Sequence, residues 1–180
     1  MKDKTGRLID YMRISITDRC NLRCVYCMPQ EGVKSLGHDK ILTYEEILRV
    51  AAVAATLGIK KIKITGGEPL VRRGAVDLVG RIKQLDGIEK VTLTTNGLLF
   101  AQYANELMQA GLDGVNFSLD CMDANTYQRI TRVDAFETAL QAIELACRLG
   151  FQTKINCVTI KGMNGEEFTE AEISCHLIVT

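Results

Sequence analysis

Five short runs rich in valine and isoleucine alternate along this chain with longer segments whose apolar residues recur at helical spacing. The short runs begin near Tyr11, Lys61, Lys90, Gly114 and Phe151. A strand–helix order repeated in this way is typical of parallel strands joined by right-handed crossovers. The 180 residues have no net charge and 47% of them are apolar, which favours a folded globular domain over a disordered chain.

Each short run also alternates between apolar and polar residues. In RISIT, Arg13 and Ser15 alternate with isoleucines, and in KIKIT, Lys61 and Lys63 do the same. The later runs place polar side chains at the same parity, among them Thr94, Asn116, Ser118 and Lys154. Side chains alternate faces along a strand, so one face of the sheet is apolar and the other polar.

This parity restricts the fold class. A sheet covered by helices on both faces would have nearly continuous apolar strands, and a closed eight-stranded barrel would fill its middle with branched apolar side chains. The pattern instead predicts an α/β fold, an open partial (βα) barrel of about five strands with its helices outside. A parallel sheet with one face in water is the simpler alternative.

Three basic residues, Arg13, Lys63 and Lys154, share the polar parity. Cations around one cavity suit an anionic ligand such as a phosphate chain. For any one of them alone, a solvated strand residue is the simpler interpretation, so the inference depends on the parity that they share.

Cys20, Cys24 and Cys27 follow the first strand at its C-terminal end, where ligands collect in βα folds. Three thiolates within eight residues can face one soft metal centre. Structural zinc would need a fourth ligand, for which His38 is the nearest candidate, and would make the chain a binding module without catalysis. A [4Fe–4S] cluster held by three thiolates would leave one iron free for a substrate or cofactor.

A second motif, Gly66-Gly67-Glu68-Pro69, directly follows the second strand. Adjacent glycines allow unusual dihedral angles and close approach of the backbone to a ligand. Alone such a turn is weak evidence, because any tight connection could use it. Combined with the cysteine motif one βα unit earlier, however, the turn is highly specific.

These motifs resemble the radical S-adenosylmethionine (SAM) superfamily and, within it, the GTP 3′,8-cyclase family of molybdenum cofactor biosynthesis. The segments that carry the resemblance are MRISITDRCNLRCVYCMPQ, KIKITGGEPLVRR, LTTNG and NFSLD. It extends over roughly residues 7 to 165, so we expect a partial barrel over 1–165 and a divergent or truncated tail over 166–180.

The resemblance implies specific roles. Cys20, Cys24 and Cys27 would hold the cluster, whose free iron binds S-adenosylmethionine for cleavage to a 5′-deoxyadenosyl radical. The GGEP turn would form part of the cofactor site. The expected cofactor contacts are Tyr26, Gly66, Gly67, Glu68 and Ser118, and the expected GTP contacts are Arg13, Lys63, Thr94 and Lys154.

Two departures from the family are visible. Lys63 falls where the family usually has arginine, so we expect weaker or less oriented nucleotide binding, because lysine lacks the planar fork that grips phosphate. Family members are also nearly twice as long and hold a second cluster through three further cysteines. Cys175 is in no Cys-x-x-Cys pair, and we expect this chain to be a fragment without complete turnover. Without the other half, a related radical SAM enzyme acting on another substrate, such as a peptide, is the alternative.

The expected partners follow from family and composition. The resemblance implies a small electron donor such as flavodoxin or ferredoxin, and a homodimer. The sequence has no tryptophan and no apolar run of the roughly 18 residues that a membrane span needs, so neither nucleic acid nor membrane is expected as a partner. No signal peptide is visible, which favours a cytoplasmic location.

Overall fold

A computed structural model describes residues 2–34, 36–37 and 40–164, and within them one parallel sheet of five strands. The strands are β1 (Tyr11–Ser15), β2 (Lys61–Thr65), β3 (Lys90–Thr95), β4 (Gly114–Ser118) and β5 (Gln152–Asn156). They lie in the order in which they occur along the chain, β1-β2-β3-β4-β5. The sheet is not closed, which confirms the predicted fold class.

The strand order places the helices on one face of the sheet. Right-handed crossovers that always step in the same direction return on the same side. The helices are α1 (Tyr44–Thr56), α2 (Ala75–Lys83), α3 (Phe100–Gln109), α4 (Ala124–Thr131) and α5 (Phe136–Arg148), with one 3₁₀ turn at Pro69–Val71.

The core lies between the sheet and these helices. Apolar strand residues such as Ile62, Ile64, Val91 and Leu93 are almost fully buried. Their polar neighbours in β2 and β3 are only half-buried or exposed, as the parity predicts. The second face of the sheet is therefore polar along its length.

Helix α1 begins with the capping box that Thr43 and Glu46 predict, since both reciprocal hydrogen bonds are present. Helical spacing alone would predict one apolar stripe containing Ile47, Val50 and Leu57. The structure buries Ile47 but leaves Val50 and Leu57 49% and 57% exposed, so the buried stripe is narrower than this spacing predicts. Helix α1 covers the β1 edge of the sheet, and only one line of its residues reaches the core.

Helix α4 was not predicted from the sequence. It is eight residues long and buries two threonines, Thr126 and Thr131, beside Tyr127 and Ile130, so its inner face does not read as an apolar stripe. His38 and Cys175 lie outside the described residues. The part of the chain that is described contains no helix with the length and apolarity needed to span a membrane.

Candidate active site

The three motif cysteines lie together on the loop that leaves β1. Cys20 and Cys24 are half-buried and Cys27 is exposed. Burial first, and then the neighbouring Cys27, Asp120 and Cys20, together raise the pKa of the Cys24 thiol to about 12. The thiols are thus close enough to affect one another, yet within the described residues no three His, Cys, Asp or Glu side chains are already close enough to hold a metal ion.

The sulfur of Cys20 accepts hydrogen bonds from its surroundings. The backbone N–H of Leu22 donates to it at 3.4 Å, and the Asn96 amide donates at 3.8 Å. Asn96 also donates to the Asn21 side chain at 2.7 Å. Because Asn96 follows β3, these contacts connect the cysteine loop to the end of the third strand.

Tyr26 connects the same loop to the end of the fourth strand. Its hydroxyl donates to Asp120 Oδ2 at 2.6 Å, and the second oxygen of this buried carboxylate accepts from the Val158 N–H at 2.9 Å. Asp120 therefore joins the cysteine loop to the segments that leave β4 and β5. The sequence motif NFSLD contains Asp120, but nothing local in it indicates this long-range contact.

The donor set fits an iron–sulfur cluster. Three thiols on one loop at the C-terminal end of a strand are the ligands that iron–sulfur clusters use. Beside them, the Tyr127 hydroxyl is buried and has no hydrogen-bond partner in the described part of the chain. Burial and then Cys24 raise the pKa of Tyr127, which places this hydroxyl on the cysteine side of α4.

Gly66 and Gly67 lie where two backbone segments meet. A Cβ atom on Gly66 would stand 2.6 Å from the Thr17 carbonyl oxygen, and one on Gly67 would collide with the Arg19 carbonyl. The Gly67 N–H donates to Thr17 O, and the Glu68 N–H to Arg19 O, both at 2.8 Å. The glycines thus allow the GGEP turn to pack against the start of the cysteine loop.

Glu68 is completely buried, a position that the sequence did not indicate. Its carboxylate accepts from Leu70 N at 3.0 Å, from the Thr95 hydroxyl at 2.9 Å and from Asn96 N at 2.7 Å. Burial outweighs these donors and raises the pKa of the carboxyl. The side chain therefore positions the GGEP turn against the end of β3.

The predicted cations converge on the polar face. Arg13 and Lys63 are direct neighbours in the β1–β2 register, and Lys154 is opposite Asn116, which in turn is opposite Thr94. Burial lowers the pKa of Lys63, and the nearby Arg13, Lys154 and Lys90 lower it further. No carboxylate among the described residues forms an ion pair with any of these four cations.

Lys90 is a further cation of this face, which was not predicted from the sequence. It begins β3 at the same parity as Thr92 and Thr94, a signal that could have identified it. Its ammonium reaches across β4 and donates to the Gln152 side chain. Lys61, by contrast, is neutralised by Asp10 at 2.9 Å.

The structure places Ser118 at the C-terminal end of β4, half-buried and opposite Asn156. Thr94 is half-buried one strand away. The predicted cofactor and substrate residues thus share the polar face or the loops at its C-terminal edge. Their binding roles stay predictions.

Comparison with known proteins points to one superfamily. The family model described as the radical SAM superfamily matches residues 14–172. GTP 3′,8-cyclase from Petrotoga mobilis is 51% identical over 168 residues, which is 93% of this chain and 52% of that protein. GTP 3′,8-cyclase from Geobacter sulfurreducens is 48% identical over 169 residues, with the same coverage. The chain thus spans about half the length of these curated relatives.

Solved structures show the same fold. Streptococcus suis SuiB bound to S-adenosylmethionine superimposes with a TM-score of 0.69 at 20% identity, covering 84% of this chain and 33% of SuiB. Native anSMEcpe with bound AdoMet gives a TM-score of 0.66 at 20% identity, covering 82% of this chain and 43% of that protein. At these identities the likeness concerns the fold alone.

Proposed function

The chain belongs to the radical SAM superfamily, and from that premise we propose that it forms the cluster-binding and S-adenosylmethionine-binding half of a GTP 3′,8-cyclase. The observation that carries the choice of substrate is the group of unpaired cations on the polar face of the sheet. A triphosphate is strongly anionic and would neutralise charges that now repel one another.

Cys20, Cys24 and Cys27 would hold a [4Fe–4S] cluster, the cofactor that this superfamily uses together with S-adenosylmethionine. When bound, the cluster supplies one electron for reductive cleavage of the sulfonium of S-adenosylmethionine. The protein's part is to hold the thiols on one loop. That loop is fixed to the ends of β3 and β4 by Asn96 and Tyr26.

S-adenosylmethionine would lie along the C-terminal edge of the sheet. In this arrangement Gly66 and Gly67 present backbone without side chains, and Ser118 presents a hydroxyl from β4. Tyr26 adds an aromatic ring, and the residue is 42% exposed although its hydroxyl is engaged. Glu68 acts indirectly, because it holds the GGEP turn in place from within the core.

GTP would bind deeper on the polar face. Arg13, Lys63 and Lys154 approach the phosphates from three strands, so they fix the orientation of the nucleotide as well as its affinity. Thr94 lies in the same row as Lys154, one step nearer to the C-terminal edge than Arg13 and Lys63. Phosphates bound toward Arg13 and Lys63 would be away from the cysteine loop, and the ribose would be nearer to it.

The remaining partners belong to the same proposal. A flavodoxin-like or ferredoxin-like carrier would deliver the electron, and the protein would act as a homodimer in the cytoplasm. Cys20, Cys24, Cys27 and Cys147 are free thiols, which is the usual state in a reducing compartment.

Nucleotide binding gives the most direct test. Calorimetry on the cluster-loaded chain should give a Kd that rises at least about tenfold from GTP to GMP, a difference of about 1.4 kcal/mol. Lys63→Ala should abolish most of that preference. Lys60→Ala is the matched control, because Lys60 is paired with Glu89 at 2.6 Å and should leave binding unchanged.

Product analysis separates the superfamily chemistry from the substrate. With a chemical reductant and S-adenosylmethionine, the loaded chain should release 5′-deoxyadenosine. If the chain releases 5′-deoxyadenosine but binds GTP and GMP equally weakly, the superfamily chemistry stands and GTP is not the substrate. That result would favour a radical SAM enzyme acting on another substrate, such as a peptide.

A further inference from the structure

Arg132 ends helix α4 in an unusual backbone conformation. Its φ of 61° and ψ of 18° lie in the left-handed region, and among the described residues it is the one non-glycine residue with positive φ. A residue with a Cβ atom is strained there. Such strain persists where surrounding contacts hold the residue in place, often beside a functional site.

The contacts of Arg132 are with the cysteine loop. Its Nη1 atom donates to the carbonyl oxygens of Arg23 and Met28, each at 2.9 Å. These two carbonyls lie on either side of the segment that contains Cys24, Tyr26 and Cys27. One nitrogen of one side chain therefore ties together both ends of that segment.

The backbone of α4 makes a complementary connection. The last carbonyls of a helix have no partner within the helix. Here the Ile130 carbonyl accepts from Val25 N at 2.9 Å, and the Thr131 carbonyl accepts from Arg23 N at 3.1 Å. The loop donates to the helix end while Arg132 donates back to the loop, so the two are joined in both directions.

We propose that Arg132 is a positioning residue that holds the segment from Cys24 to Cys27 in the conformation needed for cluster binding. Its positive charge also lies beside a loop that becomes anionic when its thiols ligate iron as thiolates. The residue that ends α4 in a left-handed conformation is thus the one whose guanidinium contacts the loop. This inference rests on the cysteine loop as the cluster site, but it does not depend on GTP as the substrate.

Arg132→Gly separates the two properties of this residue, because glycine accepts positive φ without strain but has no guanidinium. We expect the metal-free variant to unfold at the same temperature as the parent chain or a higher one. Hydrogen exchange at the amides of Cys27 and Met28, which both bond to Cys24 O, should nevertheless lose at least about tenfold protection. After anaerobic reconstitution, a chelator should remove iron from the variant several-fold faster.

Arg129→Ala is the matched control, since it removes an exposed arginine from the last turn of the same helix. It should leave amide protection in the loop and the rate of iron loss unchanged. The proposal is overturned if Arg132→Gly also leaves both unchanged. It is equally overturned if loop protection falls only in proportion to a lower unfolding temperature, because Arg132 would then support the whole fold.

Because amide exchange is measured on the metal-free chain, it tests the positioning role of Arg132 whether or not the chain acts on GTP. GTP binding does not decide the positioning role of Arg132, because that role concerns the cysteine loop. A parent chain that binds no GTP but keeps normal loop protection would contradict GTP as the substrate and leave the role of Arg132 supported.

Discussion

Glu68 illustrates how one residue can shape a site without facing the ligand. Its carboxylate has no solvent exposure and receives three hydrogen bonds, two of them from residues at the end of β3. When all the donors of a buried carboxylate are in place, replacing it with a different group leaves at least one donor without an acceptor. The glutamate of the GGEP motif is therefore required by the packing of the loop as much as by any cofactor.

Glu68→Gln should destabilise the folded chain by about 1–3 kcal/mol. Whichever way the amide turns, its N–H₂ group meets a backbone N–H, of Asn96 or of Leu70. Urea unfolding measures the loss, and a variant as stable as the parent chain would contradict the role given to this carboxylate.

The difference in stability between the parent chain and Glu68→Gln should depend on pH. Burial raises the pKa of Glu68, so the folded chain keeps the proton to higher pH than the unfolded chain does. The stability that this residue contributes is present below the unfolded pKa and is lost as the pH rises through the folded pKa. The gap in stability between the parent chain and Glu68→Gln should thus be larger at about pH 5 than at about pH 8.

At the scale of elements, one asparagine side chain holds the segments that follow two strands, β4 and β5. Asn164 is 1% exposed, and its side chain accepts from Ile160 N at 2.6 Å and donates to Val158 O at 2.9 Å. The same amide nitrogen donates to the carbonyl oxygen of Asp120 after β4. The segments that leave β4 and β5 are thereby held beside each other and beside Tyr26.

Asn164→Asp should lower the free energy of unfolding by about 2–4 kcal/mol at neutral pH, because a carboxylate would face two carbonyl oxygens without a proton to donate. The loss should shrink as the pH falls, since the protonated carboxyl can donate again. Asn164→Ala serves as the control and should show no such pH dependence. Chemical denaturation at several pH values would contradict this argument if the two variants behaved alike.

The elements also show what the sequence could and could not predict. The five strands and four of the five helices follow from apolar periodicity, because each buries one face against the sheet. Helix α4 escaped because half of its buried residues are threonines, and the left-handed Arg132 that ends it has no local signature. Asp120, Asn164 and Glu68 act through contacts between distant segments, which no local pattern encodes.

Considered as a whole molecule, the chain combines zero net charge with a concentrated positive region. Its acidic and basic residues balance, yet Arg13, Lys63, Lys90 and Lys154 gather on the polar face without carboxylate partners among the described residues. Attraction of anions should therefore be strongest at this face. Strand parity was enough to predict three of the four cations, because the face of a strand residue is set by simple alternation.

Inorganic tripolyphosphate should raise the thermal unfolding temperature of the chain, and orthophosphate at equal ionic strength should not, since ligands that bind the native state alone stabilise it. The shift should be smaller in high salt because screening weakens the attraction. Lys154→Ala should reduce it, while Lys60→Ala should not. Equal shifts with both anions, or in both variants, would argue against a preformed polyphosphate site.

The strand order has a consequence for how this protein forms. Among the five described strands, none has to wait for a later one to be inserted between it and its predecessor, because neighbours in the sheet are neighbours along the chain. As the polypeptide leaves the ribosome, each new strand and crossover can dock on a surface that is already in place. Assembly can therefore begin at β1. The cysteine loop is made before β3, β4 and α4, and the contacts that hold it form as each of these elements is added.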